Sequence, residues 1–469
     1  FYAFAIWVGM GVAAIVDGLK RLKVPETAAS LVSLLALLVP IQMAGQTWDD
    51  HDRSGRYTCR DFGQNYLNSM DAKGNPVIFT NGDNDTFPLW YNQETEGVRT
   101  DARVCNLSYL QTDWYIDQMR RPAYDSPSLP ISWTRLQYVT GTREGIPVQP
   151  DALQQVIDYY KDSPEDLKQM LGDNPYELKN IIRHWVLNDN PDLQIFPTDS
   201  IVVTVDKEAV KRSGMMIAAD SIPDVMHISL KGKRAVYKSE MMMLEMISQA
   251  NWERPLYMST TVGPDNYGHL GDNFVQEGLA CRITPFDTKQ SGRTIDSERM
   301  YNNMMNKFKY GGLKENPDIY LDETVIRMCY THRRLFNQLA QQLLKEGQKD
   351  KALKVLQRAE EEIPGSIVPH EAFYGHSLEL ADAWLALGHK AEAEKLLNAV
   401  GQNAREYIEW YLSLNTQRLL QSSRECLMQI YILNDIAKTW EPIDKKKAET
   451  YRMEVNNYAS RCHQRGMSL

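Results

Sequence analysis

The sequence has no excess of basic residues. It contains 52 Lys and Arg against 61 Asp and Glu, which gives a formal net charge of -9 over 469 residues. Proteins that bind nucleic acid neutralise its phosphates with clustered Lys and Arg, and this chain has no such basic field. The composition therefore argues against nucleic acid as a partner.

The signature motifs of self-sufficient enzymes are also missing. The sequence contains no P-loop, no H-E-x-x-H, no G-x-S-x-G and no G-x-G-x-x-G. Its nine histidines are scattered, and none pairs with another at metal-binding spacing on a helix. His370 and His376 flank a Gly-containing stretch and are expected to face solvent or to cap a helix. We expect no complete catalytic set in this chain.

Cysteines are few and dispersed, with no C-x-x-C pair to indicate a zinc knuckle or a redox motif. We interpret all six as small hydrophobic residues of the interior. An extracytoplasmic location would permit disulfides without requiring them.

Two long apolar stretches open the chain. Residues 1–16 carry no charge, and residues 27–48 run for 22 positions without an ionisable side chain. A helix of about 20 apolar residues crosses a bilayer, and Pro40 is tolerated in such a helix. A cleaved signal peptide has a single, shorter apolar stretch, and a buried helical hairpin is the remaining alternative. We predict that residues 1–46 form the last two transmembrane helices of a membrane protein.

The loop between these stretches predicts their orientation. It contains Lys20, Arg21 and Lys23, and short loops rich in Lys and Arg stay in the cytoplasm. Residues from about 47 onward are therefore expected outside the cytoplasm. In a bacterium this places them in the periplasm, beside the inner membrane.

Beyond the membrane segment, residues 47–150 predict a small α/β unit with parallel strands. Helical patterns at 58–70 and 87–96 alternate with strand patterns at 77–80 and 103–107, and another helix begins near Thr112. Two strands joined by a helical crossover are parallel, and the loops at their C-terminal ends form a natural binding edge.

Residues 151–320 predict an α+β continuation of the same extracytoplasmic domain. Helices are predicted at 151–163, 174–187 and 238–250, with strands at 200–206, 225–230, 255–260 and 278–284. The methionines of the third helix are expected to pack in the core: Met241, Met242, Met243 and Met246.

Residues 321–469 predict a helical region with tetratricopeptide-like repeats. One copy of the 34-residue signature is occupied by Ala340, Leu343, Gly347, Ala352, Leu356, Ala359 and Pro364. A second copy, 41 residues later, has Ala381, Trp384, Gly388, Ala393 and Leu397 on the same positions. A third helical pair beyond Glu409 is indicated by pattern only. The predicted fold class is thus mixed: two transmembrane helices, an α/β domain and helical repeats.

Polar residues concentrate in two short segments. The candidate site residues are Asp49, Asp50, His51, Asp52 and Arg53 after the second span, and Asn81, Asp83 and Asp85 after the strand at 77–80. Carboxylates at a strand edge bind a hard cation or accept hydrogen bonds from sugar hydroxyls, but Asp and Asn also cap helices and close turns. No cofactor is evident, and a divalent cation such as Ca²⁺ or Mg²⁺ has no full ligand set in the sequence.

Four stretches carry a resemblance: WDDHDRSGRYTCRDFGQNYLNS, FTNGDNDTFPLWYNQETEGVRTDARVCNLSYLQTDWYIDQM, RPLYMSTTV and EGLACRITP. They resemble a bacterial family of multispanning membrane proteins catalogued as a domain of unknown function, similar to protein O-mannosyltransferases of the GT-C type. The resemblance implies a lipid-linked sugar donor and a protein or glycan acceptor at the outer face of the inner membrane.

In GT-C enzymes the acidic catalytic residue lies in the first outer loop, so the resemblance assigns that role to no residue of this chain. It implies instead that the extracytoplasmic part positions an acceptor or partner while upstream spans perform the transfer. A non-catalytic envelope scaffold, whose helical repeats bind protein partners, is the alternative. Metal-dependent hydrolysis at Asp83 and Asp85 is a third alternative and the weakest of the three, because no base or ligand histidine is near these residues in sequence.

Overall fold

The structure, a computed structural model, describes residues 2–215 and 222–467. The side chains of residues 49, 50, 268 and 269 lie outside this description. The chain divides into two compact units, one of Phe1–Arg56 with Asp318–Asp322 and one of Tyr57–Pro317 with Glu323–Leu469.

The first unit consists mainly of apolar helices: α1 (Tyr2–Arg21), α2 (Glu26–Ala36) and α3 (Leu38–His51). The second and third are interrupted only at Leu37, because Pro40 has no N–H to donate to the preceding turn. The stretches Tyr2–Arg21 and Glu26–Trp48 are long and apolar enough to cross a membrane, and they are 0% and 6% buried. Such exposure is that of helices suited to membrane insertion, not of a hairpin in a soluble core.

The strands of the described residues lie in the second unit. They are β1 (Val77–Thr80), β2 (Arg103–Asn106), β3 (Gly145–Pro147), β4 (Ser200–Thr204), β5 (Val225–Ser229), β6 (Ala235–Tyr237), β7 (Leu256–Ser259), β8 (Phe274–Gln276) and β9 (Ala280–Ile283). Five of them form a sheet in the order β2-β1-β7-β9-β8, while β3 pairs with β6 and β4 with β5.

The centre of the large sheet is parallel. Strand β1 pairs in parallel with β2 on one side and with β7 on the other, whereas β9 runs antiparallel to β7 and β8. The predicted parallel pair is confirmed, and every residue of β1 and β2 is buried, as expected for strands covered on both faces. The sheet joins strands from both predicted ranges, 47–150 and 151–320.

Helices surround this sheet. They are α4 (Thr58–Ser69), α5 (Asp83–Glu94), α6 (Asp113–Met119), α7 (Arg135–Tyr138), α8 (Ala152–Tyr159), α9 (Pro164–Leu171), α10 (Leu178–Ile181), α11 (Lys207–Arg212), α12 (Lys238–Gln249), α13 (Thr288–Ser291) and α14 (Ser297–Asn302). The four methionines of α12 are buried in the main core, which confirms their predicted packing role.

Two helix predictions need correction. The helix expected at 87–96 begins at Asp83, because Gly82 and Asp85 cap its first turn. The pattern at 174–187 folds as α10 followed by a wider π-helical turn at Ile182–Val186.

The remainder of the described chain is helical, as predicted, from α15 onward. Its helices are α15 (Glu323–Lys345), α16 (Lys349–Glu362), α17 (Ser377–Ala386), α18 (Lys390–Ser413), α19 (Thr416–Gln421), α20 (Ser423–Trp440) and α21 (Lys445–Gln464). The pairs α15 with α16, α17 with α18, and α20 with α21 pack against each other. Gly347 and Gly388 occupy the first two turns with φ of 75° and 83°, a conformation that favours glycine.

Buried alanines hold the first two helical pairs close together. Ala352 and Ala393 are 0% exposed. We expect Ala352→Leu to cost about 1 to 3 kcal/mol of unfolding free energy, because three extra carbons must enter a filled helix crossing. The midpoint of urea unfolding, followed by helix content, measures this loss. The exposed Lys349→Ala serves as control, and equal midpoints for the two variants would show that position 352 is loosely packed.

The cysteines are only partly interior. Cys105, Cys329, Cys426 and Cys462 are buried, whereas Cys59 is exposed and Cys281 is half-buried. The histidine prediction is likewise half right: His376 is the N-cap of α17, but His370 is buried, with Nε2 3.5 Å from Glu360 Oε2. The nearby carboxylate gives the imidazole a polar partner, which lowers the free-energy cost of burying it.

Candidate functional site

A polar pocket lies at the C-terminal edge of the parallel strands. Asn81 and Gly82 directly follow β1, and Thr261 follows the neighbouring β7. The pocket has a volume of about 530 Å³. Its lining consists of Phe62, Asn81, Gly82, Asp83, Asn84, Asp85, Thr261, Thr324, Arg327, Met328 and Thr331. Parallel sheets place their binding crevice at this edge, because the loops after adjacent strands converge there.

Asp85 organises the floor of the pocket. It is 4% exposed, and its Oδ1 accepts a hydrogen bond from the Gly82 amide at 2.9 Å. Its Oδ2 accepts hydrogen bonds from Thr261 Oγ1 at 2.7 Å and from Ser259 Oγ at 3.1 Å. A buried carboxylate is stable only with several such donors. Asp85 therefore ties the start of α5 to the end of β7.

A cluster of hydroxyl groups continues from Asp85 into the interior. The Tyr66 hydroxyl lies 3.0 Å from Ser259 Oγ and 3.2 Å from Thr261 Oγ1, the two hydroxyl groups that donate to Asp85. Burial, reinforced by the Asp85 charge, raises the pKa of Tyr66 to about 12. Tyr66 thus stays protonated at neutral pH and acts as a hydrogen-bond donor within the cluster.

Asp83 provides the free charge of the pocket. It is exposed in the first turn of α5, and no hydrogen bond or ion pair within the described residues engages its carboxylate. Asn81 is held in place from the next loop, where Ser108 Oγ donates to its Oδ1 at 3.0 Å. On the opposite wall, Arg327 of α15 is paired with Glu323 at 2.5 Å. The pocket thus combines a carboxylate, an amide, a guanidinium and several hydroxyls.

The segment that builds this edge of the sheet matches a known protein family. The family model described as TMEM260-associated domain 2 matches residues 59–303, more than half of the chain. The chain belongs to this family. Comparison with curated proteins and with solved structures gives no match.

The TMEM260-associated domain 2 match includes every strand and all pocket residues before Thr324. It is a membrane-protein-associated family, which agrees with the two apolar helices that precede the matched range. The residues of α15 that complete the pocket lie C-terminal to the match.

The structure brings Asn81, Asp83 and Asp85 of this TMEM260-associated domain 2 chain into one pocket. Both oxygens of Asp85 already accept hydrogen bonds, so only Asp83 offers unoccupied carboxylate oxygens. No group of three His, Cys, Asp or Glu is arranged to hold a metal ion in the part of the chain that the structure describes.

The other predicted site residues belong to the first unit. The side chains of Asp49 and Asp50 lie outside the described residues. His51 Nδ1 lies 2.9 Å from the Thr47 carbonyl oxygen, and Asp52 Oδ1 accepts from the Ser54 amide. The Ser54 side chain, and after it this amide, lower the pKa of Asp52. Arg53 forms an exposed ion pair with Asp322 at 3.2 Å.

Several residues of the pocket are far from the candidate aspartates in sequence, and no sequence pattern links them to the site. Thr324, Arg327 and Thr331 come from one face of α15, where they look like the solvent side of an amphipathic helix. Ser259 and Thr261 lie in the quoted RPLYMSTTV stretch, and only the pairing of β7 with β1 brings them to Asp85.

The pocket depends on a close crossing of α4 and α5. A Cβ atom at Gly63 would lie 2.3 Å from the Pro88 carbonyl oxygen and 2.6 Å from Asn92 Nδ2. We expect Gly63→Ala to cost about 1 to 3 kcal/mol of unfolding free energy, since α5 must shift to admit one methyl group. The midpoint of thermal unfolding tests this expectation.

Gly263→Ala is the matched control, because a Cβ there meets nothing closer than 3.9 Å. An unchanged midpoint for Gly63→Ala would show that the helix crossing yields without cost. A similar loss in both variants would point to the general effect of alanine, not to the crossing.

Proposed function

We propose that this chain is the extracytoplasmic, acceptor-binding part of a GT-C-like membrane glycosyltransferase. In this proposal upstream spans transfer a sugar from a lipid-linked donor, and the pocket at the edge of β1 and β7 positions the acceptor. The observation that carries it is the chemistry of that pocket, in which the free Asp83 carboxylate stands among hydroxyl and amide groups.

Acceptors of glycosyl transfer present hydroxyl groups, each of which both donates and accepts a hydrogen bond. Asp83 can accept from such a hydroxyl, while Arg327 and the Asn81 amide can donate to it. The hydroxyls of Thr261, Thr324 and Thr331 do either. This mixed set suits a hydroxyl-rich protein segment or glycan better than it suits an anion, which the Asp83 charge would repel.

Two further lines support the proposal. The quoted sequence stretches resemble a family similar to protein O-mannosyltransferases, and the described apolar helices are suited to membrane insertion. Lys20, Arg21 and Lys23 favour a cytoplasmic loop between them. We therefore propose that residues from about 47 onward face the periplasm.

Kinetics of transfer in membranes that contain the complete protein test the acceptor role. Asp83→Asn should raise the KM for the acceptor about tenfold or more, with little change in the KM for the lipid-linked donor, because the variant loses an acceptor contact only. Asp166→Asn is the matched control, since Asp166 is also exposed in the first turn of a helix. An unchanged acceptor KM, or a selective change in donor KM, would contradict the proposal.

The orientation has its own measurement. A cysteine introduced as Lys390→Cys, at an exposed position of α18, should react with a membrane-impermeant thiol reagent in intact spheroplasts. The unsubstituted chain is the control for background labelling, because its own Cys59 is exposed. Extra labelling of the variant only after lysis would show that the topology is inverted.

We also propose that α15 to α18 are two tetratricopeptide-like hairpins. In support, the small signature residues Ala340, Ala352, Ala381 and Ala393 are all buried between helices.

A partner-binding scaffold is the second candidate function, and one surface favours it. Tyr407 and Trp410 are exposed on α18 beside a groove of about 710 Å³ that Asn403 and Glu406 also line. A scaffold without transfer activity predicts that Trp410→Ala releases co-purifying envelope proteins, while membranes of the unsubstituted protein show no sugar transfer at all.

A further inference from the structure

A second cavity, distinct from the pocket at Asp83, lies beside the edge strand β2. It has a volume of about 660 Å³, within the range of ligand sites. Its walls include five aromatic side chains, Trp90, Tyr109, Trp114, Tyr115 and Tyr124. These residues come from α5, from the turn after β2, from α6 and from the following loop.

The aromatic side chains form a continuous row. The ring centroids of Phe87 and Trp90 are 5.7 Å apart, those of Trp90 and Tyr109 6.2 Å, and those of Tyr109 and Trp114 6.0 Å. The first two pairs are stacked, with interplanar angles of 29° and 14°. Trp114 at the end of the row is 54% exposed. Phe87 at the other end is 46% exposed, whereas Trp90 and Tyr109 between them are half-buried. A row of aromatic rings that reaches the surface at both ends is typical of an interaction surface.

Tyr124 lines the cavity and has an unfavourable backbone conformation. Its φ is 52°, in the left-handed region where a bulky side chain is unfavourable, yet its side chain is 58% exposed. The nearby Glu94, another residue of the cavity wall, raises the pKa of Tyr124.

Polar groups stand among the rings. Arg103 is 5% exposed, and its Nη2 donates to the Gln118 and Arg121 carbonyl oxygens at 2.8 and 2.9 Å. Its Nη1 is buried without a hydrogen-bond partner among the described residues. An unpaired buried donor is costly, and Arg103 is one of the residues that line the cavity, so an acceptor that enters far enough to reach Nη1 would remove this cost. Glu94 and Gln118 add exposed polar side chains to the wall.

We propose that this cavity binds a pyranose ring of a glycan. A pyranose has an apolar C–H face, which packs on the electron-rich face of an aromatic ring, and a rim of hydroxyl groups. Those hydroxyls both donate and accept. They therefore match a wall that offers the Glu94 carboxylate as acceptor and the Arg103 guanidinium as donor.

A proline-rich peptide also docks on aromatic grooves, but it fits this cavity less well. Proline has no N–H group, so such a peptide presents mainly carbonyl acceptors. Binding of such a peptide would displace water from the Glu94 carboxylate. The peptide would supply no hydrogen-bond donor in its place, which is unfavourable. The glycan satisfies both charged groups.

The inference goes beyond the proposed function, since it concerns another cavity and uses neither Asp83 nor Asp85. The full chain in lipid nanodiscs is applied to an array of neutral oligosaccharides of mannose, glucose, galactose and N-acetylhexosamines. Retention of at least one class is expected, and calorimetry with that oligosaccharide then gives Kd.

Trp114→Ala and Tyr124→Gly should each raise this Kd about tenfold or more, because each removes an aromatic face from the ligand. Tyr124→Gly should leave the unfolding temperature unchanged or higher, since glycine is favoured at a φ of 52°. Lost binding in that variant therefore cannot come from unfolding. Tyr159→Ala, at an 80% exposed position of α8 outside the cavity, is the control and should bind normally.

Three outcomes would overturn the inference: no oligosaccharide is retained, or Kd is unchanged in both cavity variants, or the chain binds decaproline but no glycan. Asp83→Asn separates this cavity from the acceptor pocket. A Kd that rises in Asp83→Asn but not in Trp114→Ala would move the glycan to the acceptor pocket, which overturns this inference and leaves the proposed function standing.

Discussion

Replacing Arg282 by methionine is expected to lower the free energy of unfolding by about 3 kcal/mol, near the lower end for breaking a buried ion pair. Arg282 is fully buried in β9, and its Nη1 lies 3.4 Å from Asp71 Oδ2 and 3.8 Å from Glu277 Oε1. Glu277 is 1% exposed, and burial raises its pKa against the opposing influence of Arg282 and Arg299. Its charge is thus tolerated only because these cations are near.

Methionine keeps most of the volume of Arg282 but removes one of the two positive charges that stabilise the buried Glu277 carboxylate. Arg299 remains 3.3 Å away, and the Tyr257 hydroxyl still donates at 2.9 Å, which is why the loss should not reach the upper end of the range. Urea unfolding of the purified chain gives the measurement. Arg212→Met is the control, because Arg212 pairs with Glu253 in an exposed ion pair worth less than about 1 kcal/mol. Equal midpoints for the two variants would refute the structural role of the cluster.

Acidification should destabilise the protein through His332. This side chain is buried against the rings of Phe62 and Tyr310, and burial lowers its pKa from 6.5 to about 4. Its Nε2 lies 2.9 Å from Asn65 Nδ2, a donor, so the ring nitrogen is an acceptor and carries no proton. Protonation of Nε2 would point its N–H group at the N–H group of Asn65, so that two donors would face each other in the interior.

The direction of the effect follows from proton linkage. Between pH 6.5 and 4 the unfolded chain binds a proton at this histidine and the folded chain does not. The stability is fully present above pH 6.5 and falls as the pH drops toward 4, by up to about 3 kcal/mol. Below pH 4 both states are protonated and no further loss arises from this group.

Unfolding temperatures at pH 7 and pH 4.5 measure this linkage. His332→Gln should lose less stability between the two values than the unsubstituted chain, whatever its stability at pH 7. His227→Gln, at an exposed position of β5, should keep the full pH dependence. The role of His332 would be disproved if all three proteins shifted equally, since carboxylates common to them would then account for the change.

Local pattern predicted the elements that depend on local chemistry. The apolar stretches, the buried strand at 77–80, the methionine-rich helix and the glycine turns at Gly347 and Gly388 all follow from burial periodicity or backbone freedom. The start of α5 was misplaced by four residues, because N-G-D-N-D is as typical of a turn as of a helix cap. Only the hydrogen bond from the Gly82 amide to Asp85 decides between them.

The sequence by itself determined that this chain has two helices suited to a membrane, a buried parallel strand pair followed by acidic residues, and a helical C-terminal region. Tertiary structure alone decided what those residues do. Asp85 became a buried organiser because β7, more than 170 residues away, pairs with β1 and presents Ser259 and Thr261 to it. Asp83 stayed free because no donor among residues 2–215 and 222–467 reaches it. Two aspartates separated by one residue thus differ because strand pairing supplies hydrogen-bond partners to only one of them, which short-range propensity does not encode.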